Sequence, residues 1–298
     1  MPRIGYLIVN SLDYKISTLQ KKEIRVLQNL EVFKAYQKSP YLSLKHSTYF
    51  QVYEETLSKY KGKEFTFVEI GVLNGGSLFM WREFFGPKAR IIGVDLNPLA
   101  KKWEKEGFEI YIGSQSSLKF WNEFFNSTGM VDVILDDGGH TEEQQIITTA
   151  HCVPFINDGG LLIVEDVHTS YLKGSGNPSK YSFISFSKNI IDAINSRNPE
   201  VIYSNNSLKK KIYSATFYDS MVVFSINSQK CFVGEPTSNE GISMEAKDFW
   251  RENSPIQKIS EFITRLFKRV GIKFRMNNFL ARIENMQRKQ RIKKFFLR

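Results

Sequence analysis

Asp136-Asp137-Gly138-Gly139-His140 places two carboxylates, a tight turn and an imidazole in five consecutive residues. A second acidic pair, Glu165-Asp166, lies further along. Each follows a short apolar run, Val131 to Leu135 and Leu161 to Val164. Val133, Ile134 and Leu135 are contiguous rather than alternating, which marks a strand buried on both faces. Acids at the carboxyl ends of such strands stand where open α/β sheets bind ligands. A single strand-end acid usually caps a helix or faces water. Three that converge repel one another unless a cation neutralises them. Asp137, Glu165 and Asp166 are therefore the expected metal ligands. Oxygen donors without sulfur point to Mg²⁺, with Mn²⁺ or Ca²⁺ as alternatives. Histidine is the residue type best suited to proton transfer, and His140 is the expected general base. An aliphatic hydroxyl is a poor nucleophile, but a bound cation lowers its pKa and an imidazole can then take the proton. His168 and Tyr171, just beyond the second acidic pair, are expected to line an acceptor pocket.

A third constellation is Glu69-Ile-Gly71-Val-Leu-Asn74-Gly75-Gly76-Ser77, with Asp95 placed 24 residues after Gly71. Glycines that open a helix let the backbone approach a ligand, and an acid at that distance takes ribose hydroxyls in βαβ nucleotide folds. The spacing is not that of a dinucleotide fingerprint. An acid, Gly-x-x-x-Gly and a second-strand acid resemble the class I S-adenosylmethionine-dependent methyltransferases. That resemblance implies S-adenosylmethionine across Gly71 to Gly76, with Asp95 on the ribose and Ser114 and Gln115 near the adenine. Glu69, Asn74, Gly75, Ser77 and Asp136 complete the expected cofactor contacts.

These residues need a framework that delivers them to one edge. Five strands are expected at Phe65 to Ile70, Ile91 to Leu96, Phe108 to Ile112, Val131 to Leu135 and Leu161 to Val164, with helices between them. One helix should run from Leu78 to Phe85. Thr141 with Gln144 reads as a capping box opening another that reaches about Ile156. Strand and helix in alternation argue for a doubly wound, mostly parallel α/β sheet. Lys211 to Phe217 and Met221 to Ile226, joined by Tyr218-Asp219-Ser220, add a terminal antiparallel hairpin and bring the strand count to seven. Between the second acidic pair and the helix expected at Tyr181 to Ser196, the stretch from Leu172 to Lys180 reads as a lid. Before the first strand, Ser17 to Tyr36 is helix-prone, and Thr48 to Tyr60 is amphipathic. Lys45-His46-Ser47 precedes the latter, and a lone histidine there reads as structural. The expected division is a helical extension over 1–63, a catalytic domain over 64–230, and a linker with a basic helical tail over 231–298.

The motifs Asp136-Asp-Gly-Gly-His140 and Val164-Glu-Asp-Val-His-Thr-Ser-Tyr171 resemble those of the metal-dependent sugar O-methyltransferases of macrolide biosynthesis, the mycinamicin and macrocin type. Relatives known as cephalosporin hydroxylases share them, and some modify bacterial surface glycans. The resemblance covers about residues 45 to 227. It implies Mg²⁺ on Asp137, Glu165 and Asp166, and His140 as base. The family commonly has Ser where Gly139 stands. The expected function is methylation of a sugar hydroxyl, in the biosynthesis of a bacterial surface polysaccharide or a glycosylated metabolite. The alternatives are a phenolic acceptor or a non-catalytic scaffold docked on membranes.

Composition bounds the rest. The chain has 298 residues and a net charge of +10. Fourteen Lys/Arg against three Asp/Glu leave Arg251 to Arg298 at +11, and the remainder at −1. Basicity confined to one tail does not predict nucleic-acid binding by the body. It suits instead contact with an anionic membrane surface through 256–298. Two cysteines without ligand spacing, no long apolar run and no signal-peptide pattern lead to the expectation of a cytoplasmic protein, peripheral at most to the inner face of a membrane. A homo-oligomer is compatible with the sequence.

Overall fold

The computed structural model describes residues 26–242 apart from 176–177, 199–200 and 202–206, together with scattered positions between 258 and 296. The chain divides into a unit ending at Glu235 and another beginning at Pro236. Most of the basic tail, residues 17–25 of the first expected helix, and the centre of the expected lid lie outside the described residues. Among the described residues, no helix is long and apolar enough to cross a membrane.

The first unit is a seven-stranded sheet. Its strands are β1 (Phe65–Ile70), β2 (Ala89–Asp95), β3 (Glu109–Ile112), β4 (Val131–Asp136), β5 (Ile156–Val164), β6 (Ile212–Tyr218) and β7 (Met221–Ile226). Their order across the sheet is β3-β2-β1-β4-β5-β7-β6. The first five are parallel; β7 runs antiparallel to β5, and β6 antiparallel to β7. This is the expected doubly wound sheet with its terminal hairpin. The chain steps outward from β1 to β2 and β3, then returns to the other side of β1 as β4. The crevice at the carboxyl ends of β1 and β4 is the point where strand order reverses.

Helices cover both faces. α1 (Glu31–Lys38), α2 (Tyr49–Leu57) and α3 (Gly76–Phe85) pack on one, and α4 (Leu118–Thr128), α5 (Glu142–Cys152) and α6 (Phe183–Asn195) on the other. Strand β4 shows why its run is wholly apolar: Val133 and Leu135 enter the first core, Val131 and Ile134 the second, and all four have zero exposure. The chain's many aromatic residues concentrate in the first core, where Trp81 packs against Tyr53, Phe67 and Phe85 with ring centroids 5.0 to 5.5 Å apart. Burial of each such side chain contributes about 2–3 kcal/mol. The helices before β1 share this core, since Val32, Phe50, Val52, Tyr53 and Leu57 belong to it.

Two boundaries differ from expectation. α5 has the predicted capping box but gives way to a short 3-10 turn at Val153, because Pro154 cannot supply the next helical N–H. Strand β5 then starts at Ile156 rather than Leu161. Asn157-Asp158-Gly159-Gly160 forms an irregular start to this strand, with Gly159 at φ 92° and a register shift against β4.

Candidate active site

Two loops meet at the crevice. Gly71 follows β1, donates its N–H to Val94 O at 2.8 Å and adopts φ 94°. Asp137 follows β4 and donates its N–H to Ile70 O at 3.0 Å. A Cβ at Gly71 would collide with the carbonyl oxygen of Asp137, so only glycine allows this approach. Gly71→Ala is expected to cost about 3 kcal/mol or more through backbone strain and overpacking combined. Gly129→Ala is the control: its φ is also positive at 75° but its surroundings are open, and a cost of about 1 kcal/mol is expected. Thermal melts and calorimetric titration with S-adenosylhomocysteine would show the Gly71 variant failing in both and the Gly129 variant in neither.

The expected cofactor residues fall into two groups. Asp95 clasps the glycine turn, its Oδ2 accepting the N–H groups of Val72 (2.8 Å) and Leu73 (3.0 Å) and its Oδ1 that of Asn97 (2.7 Å). Leu73 and Leu96 stand more than two-thirds exposed beside it, apolar surface suited to a flat ring. Asn74 is exposed and Ser114 half-buried at the same edge. Gly75, at φ 80°, packs on Trp103 and caps α3. Gln115 is buried. Its amide donates to Asp136 Oδ1 at 2.9 Å and accepts the N–H of Gly139 at 2.9 Å, which braces the turn carrying His140. Asp136 Oδ2 and Trp103 Nε1 are buried without a partner in the described structure. Unmet polar atoms beside a glycine turn fit a polar cofactor.

Glu69 and Ser77 lie beneath the turn. The Glu69 carboxylate is wholly buried beneath the turn and accepts from Ser77 Oγ (2.7 Å) and Trp81 Nε1 (3.0 Å). Both residues are engaged in the core rather than presented to the crevice. Burial pushes the Glu69 carboxyl up to about 7, against the opposing pull of Lys45 and its two donors.

The acids are together, but not as expected. Lys45 Nζ, 1% exposed, lies 2.6 Å from Asp137 Oδ2, 3.1 Å from Glu165 Oε2 and 3.8 Å from Glu69 Oε1. Burial opposes its charge, yet Asp137, Glu165 and Glu69 together hold the ammonium above its ordinary value. Glu165 has no exposure and also accepts from the Tyr53 hydroxyl. Its carboxyl is raised well above the usual range by burial, although Lys45 pulls the other way. Glu165 is thus held by Lys45 and Tyr53 at the inner side of the acidic group, beside Asp137.

The acids that face the crevice are Asp137 and Asp166. With His140 they form a group whose ligand atoms all lie within 4.8 Å of one another. His140 Nε2 is 3.3 Å from Asp166 Oδ2 and 4.0 Å from Asp137 Oδ1. His140 and Asp166 both take left-handed backbone, at φ 54° and 55°, which costs about 1–3 kcal/mol each. At Asp166 this turns the carboxylate away from the direction Glu165 takes. Two carboxylates facing one crevice fit a divalent cation of the Mg²⁺ or Mn²⁺ kind, and the His140 imidazole stands beside them.

Tyr49, Tyr53 and Lys45 went unnoticed as site residues. The Tyr49 hydroxyl donates to Asp166 Oδ1 at 2.6 Å. Their signal was present: Tyr49 and Tyr53 are one helical turn apart on α2, directly after Lys45-His46, and lie on one face. His46, read as structural, comes within 3.6 Å of Asp166 Oδ1. His168 approaches the same oxygen at 3.7 Å and bonds Ser220 Oγ. Tyr171 ends the 3-10 helix Val167–Tyr171 with its ring about half exposed.

Comparisons with known proteins bear on the fold and on what the chain resembles. Residues 68–167 match the family described as a methyltransferase domain. The 8-demethyl-8-alpha-L-rhamnosyl tetracenomycin-C 2'-O-methyltransferase of Streptomyces olivaceus is 28% identical over 49% of this chain and 41% of its own length. Mycinamicin VI 2''-O-methyltransferase of Micromonospora griseorubida is 31% identical over 48% of this chain and 38% of its own. The chain therefore spans about two-fifths of the length of these relatives. The MycE methyltransferase of mycinamycin biosynthesis, solved with Mg and SAH, superposes with a TM-score of 0.61 at 23% identity, over 72% of this chain and 57% of that one. The fold is that of a class I methyltransferase, and the chain resembles sugar O-methyltransferases of the mycinamicin and macrocin type.

Proposed function

We propose that this protein is an S-adenosylmethionine-dependent O-methyltransferase, assisted by a divalent cation and acting on a sugar hydroxyl. One observation supports this above the others: the glycine turn after β1 and the Asp137–His140–Asp166 group are held against each other where strand order reverses. S-adenosylmethionine would supply an activated methyl group, and the cation a Lewis acid that lowers the pKa of a bound hydroxyl. Gly71 and Gly75 let the turn close tightly against Asp137 and Trp103, and Asp95 holds the turn and would offer itself to ribose. Asp137 and Asp166 would hold the cation. His140 Nε2, beside both carboxylates, would take the hydroxyl proton. Orientation of the acceptor contributes much of the rate in such transfers.

The relatives' names support a sugar as acceptor, since one is a 2'-O-methyltransferase of an alpha-L-rhamnosyl compound. A surface polysaccharide is the finer reading and draws no support from those names. The membrane-docking reading depends on 256–298, most of which lies outside the described residues. The test is incubation with S-adenosylmethionine, Mg²⁺ and a panel of glycosylated macrolides, free sugars and catechols, read by mass spectrometry. One added methyl on a vicinal diol, lost in His140→Ala, is expected. Methylation of the phenols alone, unchanged in His140→Ala, would overturn the sugar reading.

A further inference from the structure

We propose that His46, Asp166 and His168 form a second divalent-cation site, suited to a nitrogen-seeking ion such as Zn²⁺, Co²⁺ or Ni²⁺. His46 comes from one part of the chain, and Asp166 and His168 from another. His46 lies ahead of α2, Asp166 follows β5 and His168 sits in the 3-10 helix Val167–Tyr171. Their ligand atoms lie within 4.8 Å of one another. Asp166 Oδ1 is 3.6 Å from His46 Nε2 and 3.7 Å from His168 Nδ1. Bonds of 2.0–2.1 Å to a tetrahedral ion set neighbouring donors about 3.4 Å apart. Small side-chain adjustments therefore suffice, with His168 Nδ1 exchanging the Ser220 hydroxyl for the ion.

The two oxygens of Asp166 face different ways. Oδ2 faces His140 at 3.3 Å, whereas Oδ1 faces His46 and His168 and accepts from Tyr49. One carboxylate can thus serve an oxygen-rich group and a nitrogen-rich group at once. Two imidazoles and one carboxylate favour late first-row ions over Mg²⁺. The Tyr49 hydroxyl, also bonded to Ser220, fixes the shared carboxylate in the way that outer partners orient metal ligands. His46 and His168 are 63% and 44% exposed, so a bound ion would keep coordination positions open to water or to an acceptor oxygen. The inference stands apart from methyl transfer, because its test reads metal alone.

Chelator-treated protein in excess Mg²⁺ should be titrated with Co²⁺ and followed by its visible d–d absorption. One equivalent of Co²⁺ is expected. His46→Ala and His168→Ala should each weaken it by about tenfold or more, and Asp137→Asn should leave it within a few-fold. His46 is solvent-exposed and His168 partly so, so melts of the metal-free variants should stay within a few degrees of the parent. X-ray absorption on the Zn²⁺ form of the unaltered protein is the second readout, and two imidazoles per ion are expected. Absence of Co²⁺ binding, equal loss in Asp137→Asn, or a single imidazole per ion would overturn the site.

Discussion

Asp137→Asn is expected to lower kcat/KM by about a thousandfold, some 4 kcal/mol of transition-state stabilisation, while S-adenosylhomocysteine affinity stays within a few-fold. The two effects separate because the residue acts through different atoms. Its backbone N–H bonds Ile70 O and holds the loop against the glycine turn, which asparagine preserves. Its carboxylate faces Lys45 on one side and the His140–Asp166 group on the other. Removing that charge weakens cation binding and the polarisation of the acceptor without altering the cofactor turn. Asp166→Asn should behave alike. Steady-state kinetics and calorimetry on each variant provide the check. Turnover that persists in Asp137→Asn, or in excess chelator, would remove the cation from the mechanism.

Lys45→Met is the second large effect, and it falls first on stability. Breaking a buried ion pair by removing one partner costs about 3–5 kcal/mol, because the other charge is left unsolvated. Here Asp137, Glu165 and Glu69 all lose the same ammonium. For a unit of this size the melting temperature should fall by about 10 °C at pH 8. The loss should shrink on acidification. Glu69 already titrates at about 7 through burial, and Lys45 is what holds it that low. Without Lys45, Glu69 and Glu165 bind protons more tightly in the folded state than in the unfolded chain. Stability then rises as pH falls through their folded-state values. Melts of parent and variant between pH 5.5 and 8.5 should converge at the acid end. A constant gap across that range would mean that the lysine contributes by packing alone.

The sequence reveals the sheet because its signals are local. A contiguous apolar run such as Val131 to Leu135 leaves little but a strand buried on both faces, and the capping box at Thr141 marks the start of α5. The crevice follows, since acids and glycines at strand ends can only emerge at one edge. Glu165 and Asp166 take different directions for a reason that strand geometry supplies. Successive residues on a strand point to opposite faces, so Glu165 and Asp166 are directed apart unless the backbone bends. It bends at Asp166, into left-handed φ, and only that acid reaches the crevice. Glu69 shows that an acid beside a glycine turn can also serve the core beneath it. Lys45 was illegible for another reason: it meets Asp137 across 92 residues and Glu165 across 120, and no local pattern encodes such partners. The pairing depends on α2 docking on the same core as α3.

The central claim is that Asp137 and Asp166 hold a divalent cation beside a cofactor cradled by Gly71 to Gly76. Crystals grown with Mn²⁺ and S-adenosylhomocysteine test it through the anomalous signal of the metal. An ion within about 2.3 Å of both carboxylates, with the cofactor against the glycine turn and Lys45 retained by Glu165, is the predicted result. Cofactor in place with no ion between Asp137 and Asp166, at a Mn²⁺ concentration that supports turnover, would contradict it.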